Sequence, residues 1–362
     1  MDDRDELLMT PGPTALPPDV REATSQPMTN PDVEAQFTEY YQSLLDELAT
    51  VYGTDDDVLV LGGEGMLGLE TSVASLIDPG EEVLCLANGV FGEGFADLVK
   101  MHGGESVVHE APYDAGFDPA DVKSLVEDHD FAAATAIHCE TPTGVLNDLE
   151  EILATLQDAG VLTIVDAVSS LGGTEVPVEH VDVCLGASQK CFSSPPGLTT
   201  LSVSDRAWEK VETTEQGTFY TSLEPWRDVE FPEDEPVHPP YTHSVSNLYA
   251  LEASLDRILD EGRENVFDRH ESVAEQCRER GRDLGLEIYP ESEALASPTV
   301  TAFRVEGRAT EVQRRLEADH DVIVATSLGD LADDVLRVGH MGYNADPDRV
   351  EQTMDALADV LD

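Results

Sequence analysis

Apolar residues fall along this chain in a repeating rhythm. From about residue 57 to 203, short apolar runs alternate with longer amphipathic stretches. The runs at 58–61, 83–87, 133–138, 161–165, 181–185 and 199–203 predict strands. The stretches between them, such as 67–76 and 149–158, predict helices. Continuous apolar strands separated by helices indicate βαβ units around a mostly parallel sheet covered on both faces. In such sheets ligands bind beyond the carboxyl ends of the strands. The residues just after each run therefore carry the functional interest.

The rhythm breaks over about 217–240, a stretch rich in proline and acid that reads as a long irregular loop. Beyond it, 245–260 and 262–281 predict helices. Strands are expected at 286–289, 299–304, 321–325 and 335–338, with helices at 310–318 and 347–361. The expected architecture is α/β in three parts. An extended N-terminal arm covers 1–30. A large domain with a mostly parallel, seven-stranded type of sheet covers 31–255, and a small C-terminal α/β domain covers 256–362.

Composition narrows the class. A length of 362 residues with 41% hydrophobic content supports two buried cores. No apolar run approaches the roughly 20 residues that span a bilayer. The acidic start, Met1 to Glu6, lacks the basic-then-apolar layout of a secretory signal, so a soluble cytoplasmic protein is expected. Twenty Lys and Arg against 75 Asp and Glu leave a net charge of −55. That field repels nucleic acid and anionic membranes, and neither is an expected partner. It also repels itself. The acids are spread along the whole chain, which suits a high-salt cell interior where screening lengths fall to a few ångströms. The reading is a halophile's enzyme.

Only four lysines occur: Lys100, Lys123, Lys190 and Lys210. Three lie in polar stretches that read as helix surface, and Lys190 does not. The five cysteines, Cys85, Cys139, Cys184, Cys191 and Cys277, form no CxxC pair. Neither a disulfide framework nor a metal site is suggested.

Three constellations carry chemistry. Asp166 ends the apolar run 161–165, and Lys190 follows the next run after Gly186-Ala187-Ser188-Gln189. An amine and a carboxylate on adjacent strand ends match what pyridoxal 5'-phosphate requires. The amine forms a Schiff base and moves a proton, and the carboxylate keeps the pyridine nitrogen protonated. Taken singly, Asp166 would read as a helix cap and Lys190 as a surface lysine. The loop Gly62-Gly63-Glu64-Gly65-Met66 joins a strand to a helix, a place where free N–H groups bind anions. Arg337, between Leu336 and Val338, is costly to bury without a partner. Its fork suits a substrate carboxylate, or equally a structural ion pair.

With these residues the chain resembles the class V, fold-type I PLP enzymes, nearest to the alanine–glyoxylate/serine–pyruvate aminotransferase branch. The resemblance runs from Leu8 to the C-terminus. It is carried by Pro11-Gly12-Pro13-Thr14, Asn88-Gly89-Val90-Phe91-Gly92, His138-Cys139-Glu140-Thr141-Pro142-Thr143-Gly144 and Val165-Asp166-Ala167-Val168-Ser169-Ser170-Leu171-Gly172. Ser188-Gln189-Lys190 with Pro195-Pro196-Gly197, Tyr241-Thr242-His243-Ser244 and Leu336-Arg337-Val338-Gly339 complete it.

The resemblance implies roles. Lys190 carries the cofactor and Asp166 pairs with its ring nitrogen. Phe91 stacks on the ring, and Thr141 bonds near the ring oxygen. Gly65 and Met66 offer backbone amides to the phosphate, with Gln189 at the side. Tyr241 and Ser244 reach the phosphate of a neighbouring subunit's cofactor, which implies a homodimer with shared active sites. Arg337 binds the α-carboxylate of the amino acid.

The chain departs from the pattern in the phosphate loop. A hydroxyl residue is usual where Glu64 stands, and serine is frequent where Gly62 stands. Ser244 keeps a hydroxyl where threonine is common. Carboxylate and phosphate repel, so Glu64 is expected to point away.

The expected activity is transamination between a small amino acid, alanine or serine, and a small 2-oxo acid, glyoxylate or pyruvate. Alternatives within the class are ureidoglycine or phosphonate amine donors and a lyase or desulfurase, for which Cys277 is the only C-terminal thiol. A non-catalytic scaffold is the alternative outside enzyme chemistry. The charge makes its own prediction. In a salt titration followed by circular dichroism and activity, the cooperative fold should appear only as salt approaches molar. Full activity in dilute buffer would remove the high-salt reading.

Overall fold

The six apolar runs become strands of one seven-stranded sheet in the computed structural model, which describes residues 6–361. The strands are β1 (Asp57–Gly62), β2 (Glu82–Ala87), β3 (Glu105–Glu110), β4 (Ala133–Ile137), β5 (Leu162–Asp166), β6 (Val183–Ala187) and β7 (Leu198–Val203). Their spatial order is β1-β7-β6-β5-β4-β2-β3. Pairings from β6 through to β3 are parallel, and β7 runs antiparallel to both its neighbours. Every residue of β4, β5 and β6 is buried, as two-sided cover demands.

Helices cover the two faces: α1 (Pro18–Ala23), α2 (Gln36–Tyr52), α3 (Gly65–Leu76), α4 (Val90–Met101), α5 (Pro119–Asp128), α6 (Glu150–Asp158) and α7 (Asp205–Thr213). One face buries Phe37, Tyr41, Leu48 and Leu153. The other buries Leu69, Val73, Phe95 and Trp208. After α8 (Val245–Glu261) and α9 (Arg263–Asp283) comes a second sheet, of β8 (Glu287–Ile288), β9 (Val300–Arg304), β10 (Ala325–Thr326) and β11 (Val335–Gly339). Its order is β8-β9-β11-β10, all antiparallel. It is backed by α9, α10 (Ala309–His320) and α11 (Pro347–Leu361) around Phe303, Leu316, Leu336 and Met354. No helix among the described residues is long and apolar enough to cross a membrane.

Several sequence expectations are corrected. Strand β3 escaped notice because it is an edge strand of mostly polar letters, Glu-Ser-Val-Val-His-Glu, with no residue fully buried. The run at 321–325 divides. Val322–Ile323 pairs in parallel with Leu7–Leu8, while Ala325–Thr326 joins the second sheet. The arm is therefore not extended throughout. It contributes a strand pairing, and α1 packs on α8; residues 1–5 of the arm lie outside the described residues. Lys210 does lie on a helix, α7, where it bridges Asp78 at 3.0 Å and Glu81 at 2.6 Å.

From Leu7 to Thr14 the chain threads between the two sheets. Met9 N–H donates to the Ile323 carbonyl at 2.7 Å, and Gly339 N–H donates to the Met9 carbonyl at 2.8 Å. Thr14 N–H then donates to the Gln189 carbonyl at 3.1 Å. A Cβ on Gly339 would stand 2.3 Å from Pro11 N, so only glycine lets the strap pass.

Phe303 anchors the core of the second sheet with no exposed surface. Replacing it with alanine should cost about 3–5 kcal/mol of stability. Denaturant midpoints at fixed molar salt measure this, and an unchanged midpoint would refute it.

Candidate active site

At the carboxyl ends of β5 and β6 lies a cavity of about 340 Å³. Seven of the ten candidate residues line it: Gly65, Met66, Phe91, Thr141, Asp166, Gln189 and Lys190. Arg337, Tyr241 and Ser244 do not.

Asp166 is the last residue of β5 and is almost wholly buried. One carboxylate oxygen accepts the Val168 N–H at 2.8 Å. Burial pushes its pKa up to about 6, against the pull of that N–H and of Lys190. Lys190 sits in the turn after β6, and its Nζ donates to the Pro11 carbonyl at 2.6 Å. Burial, with the Arg337 charge adding to it, brings its pKa down to about 8. A lysine so placed is far more often a free amine at neutral pH than an ordinary one. Gly12, just after Pro11, has φ +106°, and a Cβ there would stand 2.4 Å from Lys190 Cδ. The strap needs glycine at this point for both reasons.

Arg337 lies on β11, one layer behind Thr141. Its Nε and Nη2 donate to the Thr326 carbonyl at 2.8 and 2.5 Å, and Nη1 donates to the Thr141 carbonyl at 3.3 Å. These partners are neutral carbonyls, so they fix the guanidinium plane without cancelling its charge. Of five N–H groups, two remain for a ligand.

Tyr241 stands close to the loop but at its far side. Its hydroxyl accepts the Gly62 N–H at 3.1 Å, and its ring stacks on Tyr220 at 4.5 Å. Ser244 opens α8 as its N-terminal flanking residue. The single chain thus brings neither to its own cavity.

Glu64 overturns its expectation. It does not point away; its carboxylate folds onto the first turn of α3 and accepts the Met66 N–H at 3.2 Å. Glu64 also lines the cavity.

Several residues of the segments that carry the resemblance had been given no individual role. Gly12, Pro13, Cys139, Val168, Ser169 and Pro196 line the cavity too. Ser169 and Thr141 share a short hydroxyl–hydroxyl hydrogen bond. Glu140 is fully buried behind Phe91 and accepts the Phe91 and Gly92 N–H groups at 3.2 and 3.3 Å. It fixes the first turn of α4 and so the Phe91 ring. Burial pushes its pKa up to about 7. The signal was available, because Glu140 follows the run 133–138 after a single residue, Cys139, and lies within the segment His138 to Gly144 that carries the resemblance. Cys277 is buried within α9 against Met354, which leaves it no approach to the cavity. The described residues also include one surface group with metal-ligand spacing, Glu150, Glu179 and His180, and none of the three lines the cavity.

The residues at this end of the cavity fit the ring of pyridoxal 5'-phosphate. A buried carboxylate, a half-buried amine and an aromatic face converge on one cavity. Gln189 Oε1 is buried there with no partner, an unmet polar group of the kind a ligand satisfies.

Comparison with known proteins agrees with this geometry. The aminotransferase class-V family model matches residues 7–333. The chain is 32% identical to a pyridoxamine–pyruvate transaminase of Mesorhizobium japonicum, over 94% of this chain and 88% of that one. It is 30% identical to the alanine–glyoxylate aminotransferase of Oryctolagus cuniculus, over 98% and 92%. The crystal structure of an alanine–glyoxylate aminotransferase from Nostoc sp. superposes with a TM-score of 0.93 at 28% identity, covering 100% of this chain and 97% of that one. Fold, cavity and relatives converge: the chain belongs to the class V aminotransferases and is a pyridoxal 5'-phosphate-dependent, fold-type I enzyme.

Proposed function

We propose that the enzyme moves the amino group of a small amino acid with an uncharged side chain, alanine or serine, to a small 2-oxo acid such as glyoxylate or pyruvate. One observation carries this reading. Lys190 is the only cation that lines the cavity among the described residues, and Arg337 stands behind the lining residue Thr141, held by its carbonyl. One fixed guanidinium recognises one carboxylate. A second carboxylate, as in aspartate or glutamate, would find no cation and would meet Glu64. The names of the alanine–glyoxylate relatives point the same way.

Each residue then has a task. The cofactor, when bound, supplies an electron sink that makes the amino acid's α-proton acidic. Asp166 holds the proton at the ring nitrogen. Lys190 would hold the ring covalently, and its amine would carry the proton between carbon atoms. Phe91 covers one ring face, held there by Glu140. Thr141 would bind the ring's polar edge, and Gln189 would flank the phosphate side. The Gly65 amide would face the phosphate, the Met66 amide would do so only once Glu64 leaves it, and Arg337 would orient the α-carboxylate. We also propose a homodimer in which Tyr241 and Ser244 serve the partner's cavity. That neither lines its own is the support for it.

A second reading has a free pyridoxamine-type amine as donor. It draws on the activity named for the Mesorhizobium relative and on Glu64 in the cavity wall.

A donor panel against glyoxylate, pyruvate and 2-oxoglutarate, in molar salt, tests the main proposal. Alanine or serine with glyoxylate or pyruvate should give the highest kcat/KM, and a preference for aspartate or glutamate would refute it. Lys190→Ala should abolish turnover at the level of product formation. The Arg337 charge should also be readable in pH. Covalent attachment of an aldehyde to Lys190 requires the free amine, so its rate should rise with pH through about 8. In Arg337→Met a neighbouring positive charge is gone, the ammonium form is favoured, and the midpoint should move upward. A midpoint unmoved or lowered would refute the coupling.

A further inference from the structure

The amino end of α3 is where the family's 5'-phosphate would be held. Strand β1 ends at Gly62 and α3 begins at Gly65, so the first N–H groups of the helix face the cavity. Here one of those donors is already taken. Glu64 caps α3 through its own side chain, with Oε1 on the Met66 N–H. The cap brings a negative charge to the spot that a phosphate dianion needs. Its influence extends to the other end of the ring site, where the Glu64 charge helps push the Asp166 carboxyl up.

Nothing nearby offsets that charge. Lys190 is the only Lys or Arg in the cavity wall among the described residues, and its amine is turned to Pro11. The loop cannot readily shift as a whole either. Thr199 Oγ1 donates to the Gly63 and Glu64 carbonyls at 3.1 and 2.6 Å. A Cβ at Gly65 would already be 3.2 Å from Val168. A phosphate that takes the Met66 N–H must therefore displace the Glu64 side chain, which gives up a charge-assisted hydrogen bond. Two anions and one set of N–H donors make this a competition.

We propose that Glu64 discriminates against the 5'-phosphate, so that this chain binds the unphosphorylated ring, as pyridoxal or pyridoxamine, about as tightly as the phosphate ester. The ring contacts at Asp166, Phe91 and Lys190 carry the affinity, and the phosphate adds little. This rests on reading the cavity as the ring site, and it deepens the second functional reading by giving the unphosphorylated amine a place to bind.

Equilibrium titrations of the apoprotein with pyridoxal and with pyridoxal 5'-phosphate test it, read by visible absorbance and protein fluorescence in molar salt. For the unaltered chain the two dissociation constants should agree within about tenfold. In Glu64→Ser the phosphate ester should tighten by about ten- to hundredfold, the worth of a charge-assisted bond, while pyridoxal stays within about threefold. Glu64→Gln removes the charge at nearly constant shape and should move the same way. Unchanged pyridoxal binding shows that each variant keeps its ring site. A preference of the unaltered chain for the phosphate ester above about a hundredfold would overturn the proposal, as would a ratio that neither substitution changes. If neither ligand binds the unaltered chain, the ring-site reading itself fails, which is a separate outcome.

Discussion

Burial on both faces of the central strands governs the rest of this molecule. Strands β4, β5 and β6 have no solvent-facing side, so their interiors admit almost no charge. Polar chemistry is pushed to the strand ends, and the parallel pairing of β5 with β6 sets two such ends side by side. Asp166 closes one and Lys190 follows the other. The same exclusion of water shifts both groups toward neutrality, the acid up to about 6 and the amine down to about 8. A free amine and a carboxyl ready to gain a positive partner are what the reaction needs before any ligand arrives.

Charge is spent sparingly in this interior, in contrast to the surface. Beside Asp166 and Lys190, the site holds a buried acid, Glu140, and a buried arginine, Arg337. Each is fixed by backbone groups rather than by a contacting ion: Glu140 by the Phe91 and Gly92 N–H groups, Arg337 by the Thr326 and Thr141 carbonyls. Backbone dipoles orient a charge without neutralising it. That leaves Arg337 able to bind a carboxylate and lets Glu140 hold Phe91 rigid.

Much of this was legible before any coordinates. Apolar runs of strand length located six of the seven large-sheet strands, because two-sided burial writes itself as uninterrupted apolar letters. Strand β3 was lost because an edge strand has no such requirement. Lys190 stood out through the scarcity of lysine, and Asp166 and Arg337 through their apolar neighbours. What stayed hidden was contact between distant segments. Nothing local in Pro11-Gly12-Pro13 says that its carbonyl meets Lys190, and nothing in Glu64 says which way its side chain turns. Repulsion from an assumed phosphate suggested outward. The unmet N–H of Met66 pulled it inward, since a helix end without a cap is a cost present at all times.

The strap from Leu7 to Thr14 ties these levels together. At one end it is hydrogen-bonded to Val322–Ile323 and Gly339, and at the other to Gln189, with the Pro11 carbonyl on the Lys190 amine between them. It is a short tether strung across a cleft. Any change in the angle between the two sheets must stretch or slacken it, and the first thing moved is the carbonyl that holds the amine. The position of the lysine amine is thereby tied to the placement of both sheets, so that a substitution displacing the strap at either end reaches the reactive group.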